Sequence, residues 1–305
     1  MRTLIHAILT ASLVAILTGA EAYAEGKIRV VATTTDLRAL TEAVGGDLVE
    51  VDALARGGQN AHDLEVRPSL MVKVRRAQLL VMNGLDLDQW AEIVVQGANN
   101  PNVIFGAPGR VDASQGLLVL EAPKTRLDRS MGDVHPYGNP HYTLDPAVAP
   151  TVTANILDGL ARVAPPLRPA FERNRQEFLR RLEQAMARWS STLAPLRGSK
   201  VVVDHNMWIY FLTRFGLTQA GTIEERPGIP PTPAHLTKLI QLMKEEKVKV
   251  ILTAPWSDRK LADRVAQEAG ARTALMASAV DALKGTDTYI ETMDYNVKAL
   301  AQALR

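Results

Sequence analysis

An α/β fold of two lobes, each built on a mostly parallel sheet and joined by a long rigid backbone helix, is predicted by three features of the sequence. Short β-branched runs alternate with helix-forming segments up to residue 84 and again from residue 200 onward. Between them lies a stretch without glycine whose apolar residues recur at helical spacing. A chain of 305 residues is also long enough for two lobes rather than one small core.

The first residues set the compartment. Met1-Arg2 gives a positive start, Leu4 to Leu17 is mostly apolar, and Ala22-Tyr23-Ala24 is an A-x-A cleavage signal. Residues 1–24 are therefore expected to be a signal peptide cleaved after Ala24, with export to a periplasm. The apolar run is too short and too interrupted for a good membrane span. No cysteine follows the cleavage point, so lipid attachment there is not expected, and a chain without cysteine has no disulfide framework. The net charge of +2 gives no argument for a nucleic-acid partner.

The first lobe, 25–163, opens with Lys27 to Ala32, a strand signal. Thr33-Thr34-Thr35-Asp36 offers caps for a helix from Leu37 to Val44, stopped by Gly45-Gly46. A second strand spans 48–54 and leads to the loop 56–62. A helix over 69–77 precedes the strand Leu79–Met82, closed by Asn83-Gly84. This βαβα order predicts a parallel sheet, whose ligands bind beyond the carboxyl ends of the strands. His62 falls at that edge.

The linking segment, 164–197, contains Phe171, Phe178, Leu182, Met186, Trp189 and Leu193, which step by 7, 4, 4, 3 and 4 along one helical face. A helix over 166–193 would be about 42 Å long. Its stripe is expected to be core. Pro195 and Gly198 end it.

The second lobe, 198–305, repeats the pattern. Strand 200–203 carries Asp204-His205 at its carboxyl end, and an apolar helix 207–215 closes at Gly216. A proline-rich loop, 226–233, leads into helix 234–246. Strand 248–252, helix 258–269, a strand near 273–276 and a closing helix 288–304 complete the lobe.

Six histidines are present, and His6 lies in the signal segment. His135 and His141 occupy a stretch stiffened by Pro136, Pro140 and Pro146. His62 and His205 end strands in different lobes and can face each other across a cleft, with His141 supplied by the loop between. Three imidazoles from separate loops suit a first-row metal, zinc especially. His135 is expected to turn away, and His235 to be an ordinary helix-start residue.

Several motifs resemble the solute-binding proteins of zinc and manganese ABC importers, over essentially all of 25–305. His62-Asp-Leu-Glu-Val-Arg-Pro68 is similar to the family's His-x-aromatic-Glu-x-x-Pro, with Leu64 in the aromatic position. Asn83-Gly84 with Trp90 resembles its Asn-Gly…Trp segment. Gly138-Asn-Pro-His-Tyr-Thr-Leu-Asp-Pro146 resembles its Gly-Asn-Pro-His-x-Trp-Leu-Asp-Pro, with Thr143 replacing tryptophan. Asp204-His205 with Trp208 and Phe215-Gly216-Leu217, and Tyr289 with Asp294-Tyr295-Asn296, match its second lobe.

The resemblance implies a periplasmic receptor, not an enzyme, that captures a metal ion and delivers it to an inner-membrane permease and its ATPase. A monomer is expected, with a metallochaperone as a candidate loading partner. His62, His141 and His205 fall on three family ligands. The acidic fourth ligand of many members is missing, because Ala277-Ser278 stands where Asp-Ser is usual. Asp281, Glu224 and Glu225 are the alternatives, and a water is another. Asn139 and Asp145 are expected to shape the loop, and Glu65 to orient His62 from behind. Three nitrogen donors favour Zn2+ over Mn2+. A manganese receptor, a receptor for a chelated metal and a zinc hydrolase remain alternatives, although the last lacks a His-Glu-x-x-His helix.

Overall fold

The computed structural model describes residues 26–123, 135–226 and 228–305. The signal segment and its cleavage point lie outside these residues. In chain order the first lobe contains β1 (Ile28–Ala32), α1 (Thr35–Gly45), β2 (Val49–Ala53), α2 (Pro68–Arg75), β3 (Leu79–Met82), α3 (Trp90–Ala98), β4 (Arg110–Asp112) and α4 (Ala149–Val163). The long helix α5 (Arg168–Leu193) follows. Then come β5 (Lys200–Val203), α6 (Ile209–Phe215), β6 (Thr218–Thr222), α7 (Pro233–Glu245), β7 (Val250–Thr253), α8 (Arg259–Ala269), β8 (Arg272–Leu275) and α9 (Tyr289–Leu304).

Each lobe holds one four-stranded, all-parallel sheet, in the orders β2-β1-β3-β4 and β6-β5-β7-β8. The central strands are continuous apolar runs because helices cover both faces. Val201, Val202, Val203, Val250, Ile251 and Leu252 are all fully buried. In each sheet the order of strand addition switches side at the lobe's first strand, leaving a crevice between β1 and β3 and another between β5 and β7. Both crevices open on the loops that carry the site.

Helix α5 has 26 residues, about 39 Å. Short 3-10 turns, Pro165–Leu167 and Ala194–Leu196, flank it, so the regular helix begins two residues later than expected. Its apolar stripe is buried at Phe171, Phe178, Leu182, Ala185, Trp189 and Leu193, with Met186 partly covered. The stripe belongs to one core cluster that includes Val30 and Leu79 of the first sheet and Val201 and Leu252 of the second. Polar bolts fix both ends: Asn174 Nδ2 donates to the carbonyl of Val44 at 3.1 Å, and Trp189 Nε1 to Asp294 Oδ1 at 2.5 Å. Such a rod resists wide movement of one lobe against the other.

Four elements were not legible in the sequence: α3, β4, α4 and β6. Neither α3 nor α4 has a side-chain N-cap, β4 is three residues long, and β6 reads Thr-Gln-Ala-Gly-Thr, poor in strand formers.

Candidate metal centre

His62 ends a loop that leaves the edge strand β2. Two contacts shape the loop: the indole Nε1 of Trp90 donates to the carbonyl of Ala61 at 2.8 Å, and Asn60 Oδ1 accepts from the His62 backbone at 3.2 Å. The Asn60 amide also donates to Asp63 Oδ2 at 2.8 Å. The ring of His62 is half-buried.

His141 rests on the crevice of the first sheet. Asn83, at the end of β3, donates from Nδ2 to the carbonyl of Pro140 at 3.1 Å, and its own carbonyl accepts from the Tyr142 hydroxyl at 2.8 Å. Buried Asp88 holds Asn83 in turn, accepting the backbone N–H groups of Asn83 at 2.6 Å and Gly84 at 3.1 Å. Gly84 is required here: its φ is +76°, and a Cβ would lie 2.4 Å from Asp112 Oδ1. Asn139 Oδ1 accepts from the His141 backbone at 3.1 Å, while its Nδ2 donates to Glu121 and to the carbonyl of Asn206. Asp145 forms a two-pronged pair with Arg214 of α6 at 2.7 and 2.8 Å. Both residues therefore tie the proline loop to the second lobe.

His205 stands at the second crevice. Asp204 Oδ1 accepts from the His205 backbone at 2.7 Å, and Oδ2 accepts from Ala254 at 2.8 Å and from the Ser257 hydroxyl. One carboxylate thus joins the loops after β5 and β7. The His205 ring meets Glu224 Oε2 through Nδ1 at 2.7 Å. That bond assigns the proton to Nδ1 and leaves the Nε2 lone pair free for a metal.

These three supports bring one nitrogen each of His62, His141 and His205 within 4.8 Å of one another. The rings stand 5.1, 5.6 and 5.7 Å apart, centre to centre, and Trp256 meets His205 edge-on at 5.3 Å. Nε2 of His62 and Nε2 of His141 are 3.1 Å apart. Burial first, then the neighbouring imidazoles of His135 and His205, brings the pKa of His62 down to about 3. Burial, then the neighbouring imidazoles of His62, His205 and His135, holds His141 well below the usual range. Neutral imidazoles carry the lone pairs that a cation needs. Burial also pushes the carboxyls of Asp88 and Asp204 up to about 6, against the backbone N–H groups that they accept.

Other expected residues take different places. Glu224 lies on the outer nitrogen of His205 and not among the group of ligand atoms. Asp281 pairs with Arg38 at 2.5 Å, which engages its carboxylate away from the histidines. Glu65 does not orient His62: it is exposed and accepts from Arg67 at 3.1 and 2.6 Å, a pairing its short loop favours. Glu225 is exposed. Ala277 is fully buried, with Asn296 bonding both its N–H and its carbonyl, at 2.7 and 2.9 Å. His135 does not turn away: its ring stacks on His62 at 4.8 Å. Proline spacing alone could not reveal this, because the stack depends on where the first lobe's loop delivers His62. His235 Nε2 donates to the carbonyl of Thr222 at the end of β6, 2.9 Å away, and takes no part in the triad.

The model of the family described as "ZnuA: Zinc-uptake complex component A periplasmic" matches residues 30–303. The chain belongs to this family. It is 26% identical over 286 residues to the high-affinity zinc uptake system protein ZnuA of Bacillus subtilis, covering 91% of this chain and 88% of that relative. It is 25% identical over 287 residues to the zinc-binding lipoprotein AdcA of Streptococcus pneumoniae, covering 92% of this chain. The chain spans only 56% of that relative's length. A crystal structure of ZnuA superposes with a TM-score of 0.78 at 25% identity, over 92% of this chain and 100% of that one. Two parallel-sheet lobes and a long linking helix are the fold of this family.

Proposed function

We propose that this chain is an exported zinc receptor that binds one Zn2+ through His62, His141 and His205 and delivers it to an ABC permease with its ATPase. The observation that carries this reading is the convergence of three nitrogens within 4.8 Å, two from the first lobe and one from the second, with no carboxylate in the group among the described residues. Nitrogen donors without carboxylates favour zinc over manganese. The family match over residues 30–303 supports the transport role. The reading divides the mature chain into a lobe at 25–163, a linking helix at 164–197 and a lobe at 198–305.

Capture follows from the site's chemistry. Burial keeps His62 and His141 unprotonated at neutral pH, so no proton has to leave before the ion enters. Glu224, hydrogen-bonded to Nδ1 of His205, fixes the ring and its tautomer. Water can supply a fourth ligand: a cavity of about 400 Å³ lined by His62, His205 and Trp256 opens beside the triad. A hydrolytic role would need a free general base beside the ligands. The carboxylate that touches the triad, Glu224, is engaged on His205. Elemental analysis and zinc titration of the purified chain test the proposal: one zinc per chain is expected, and binding that survives His141→Ala unchanged would refute the ligand assignment.

A further inference from the structure

Asp36 makes contacts that a helix-start residue does not ordinarily make. It lies in the first turn of α1, where Thr34 already serves as the cap. Its side chain is buried, and neither oxygen bonds locally. Oδ2 accepts from the Thr143 hydroxyl at 2.8 Å, 107 residues away, and Oδ1 accepts from the backbone of Val280 at 2.8 Å, 244 residues away. Thr143 belongs to the 3-10 turn Tyr142–Leu144, which begins directly after His141. Val280 lies in the loop that joins β8 to α9. One carboxylate of the first lobe therefore grips both the ligand-bearing turn and the second lobe.

The surrounding contacts form a seam along the same line. The Thr35 hydroxyl donates to the carbonyl of Val280 at 2.7 Å, and the Ser278 hydroxyl to the carbonyl of Gly57 at 3.2 Å. Arg38 pairs with Asp281, and the Tyr289 hydroxyl donates to the carbonyl of Thr143 at 2.6 Å. The two loops touch backbone to backbone: a Cβ on Gly57 would lie 2.0 Å from the carbonyl oxygen of Val280. Asp36, Thr143, Ser278 and Ala279 also wall the small cavity beside His141. Any opening that separates the 277–281 loop from the first lobe must break the bonds to Asp36. The Thr143 hydroxyl is what makes this bond available.

We propose that Asp36 is a positioning residue for metal retention: its carboxylate holds the His141 turn against the second lobe's 277–281 loop and so sets how fast the bound ion leaves. The inference rests on the metal-receptor reading above. Asp36 is not assigned as a ligand; it acts through the turn that carries one.

The test measures zinc release into excess chelator by stopped flow, with equilibrium zinc affinity and the visible spectrum of the Co2+-loaded protein alongside. Asp36→Ala is expected to release zinc at least tenfold faster than wild type and to alter the cobalt spectrum. Asp36→Asn keeps an acceptor for the Val280 N–H and can donate its amide to the Thr143 oxygen, so it should restore release to within about threefold of wild type. Thr143→Val preserves volume and removes a single hydrogen bond; it should fall between the two, and it decides the matter if Asp36→Ala does not fold. Wild-type release rates and cobalt spectra in both Asp36→Ala and Thr143→Val would overturn the proposal. So would an Asp36→Asn variant as fast as Asp36→Ala. Failure of the wild-type chain itself to bind zinc or cobalt would instead overturn the metal-receptor reading.

Discussion

The two lobes present their histidines by different means. In the second lobe, His205 follows directly on the buried Asp204 that locks the crevice loops, and Glu224 fixes its outer nitrogen. The first lobe has a similar buried carboxylate, Asp88, at its own crevice. That carboxylate supports Asn83 and, through it, the His141 loop. His62 stands apart on the loop of the edge strand, with its backbone held by Asn60 and its ring set against the other imidazoles of His141, His135 and His205. Two of the three proposed ligands are thus braced by buried carboxylate networks, and the third is held by its neighbours. A braced ligand is already in place when the ion arrives; a loosely held one is ordered by it. On the proposed reading, His205 and His141 are the anchors of the site and His62 is the ligand that adjusts.

The largest expected effects break the anchors. His205→Ala and His141→Ala should each weaken zinc binding by more than about 100-fold, beyond the usual range for loss of an outer contact. His62→Ala should weaken it less than either, and competitive titration against a calibrated chelator would rank the three. Equal losses from all three would remove the distinction between anchors and adjustable ligand.

Next comes the brace itself. Glu224→Ala should lower zinc affinity by about 10- to 100-fold through His205, without changing the stoichiometry. If Glu224 were a ligand, the Co2+ spectrum of the variant would change its coordination signature; as an outer partner, it should leave that signature in place.

The buried carboxylates and imidazoles also oppose one another in pH dependence. His62 titrates near 3 when folded against 6.5 in the open chain, so the unfolded state holds the extra proton between those values. Stability of the metal-free protein is therefore lost as pH falls from 6.5 toward 3, and His141 adds in the same sense. Asp88 and Asp204 have the opposite sign. Their folded values near 6 lie above 3.8, the folded state holds the extra proton in that interval, and stability is gained as pH falls through it. The metal-free chain should show a shallow slope between about pH 6 and pH 4 and a steeper loss below. Asp88→Asn removes one compensating proton uptake, so urea unfolding of that variant should show a steeper loss of stability over the same interval as the pH is lowered.

The smallest effect is expected from Glu65→Gln. Its partner Arg67 is exposed, and such surface pairs contribute little. Zinc affinity should stay within about twofold of wild type.

Much of this arrangement was legible in the sequence, and the reasons are local. Val201-Val202-Val203 before Asp204-His205, and the stripe from Phe171 to Leu193, announce buried strands and a linking helix by pattern alone. The three histidines were legible because each ends an element or sits among prolines. What escaped depends on contacts across the chain. Glu224 finds His205 because β6 lies beside β5, and β6 itself, with Gly221 and few strand formers, gave no signal. Asp36 looked like a helix cap, since nothing near it in sequence reveals partners 107 and 244 residues away. Asp281 looked free to join the site until Arg38 was found across the seam. His135 looked like a bystander because its partner, His62, arrives from a loop some seventy residues earlier.

The central claim is that an all-nitrogen triad selects zinc. A competitive titration of the purified chain with Zn2+ and Mn2+, under identical conditions, tests it most directly. One zinc per chain with manganese unable to displace it is the expected result; manganese binding as tight as zinc, or no stoichiometric zinc at all, would contradict the account.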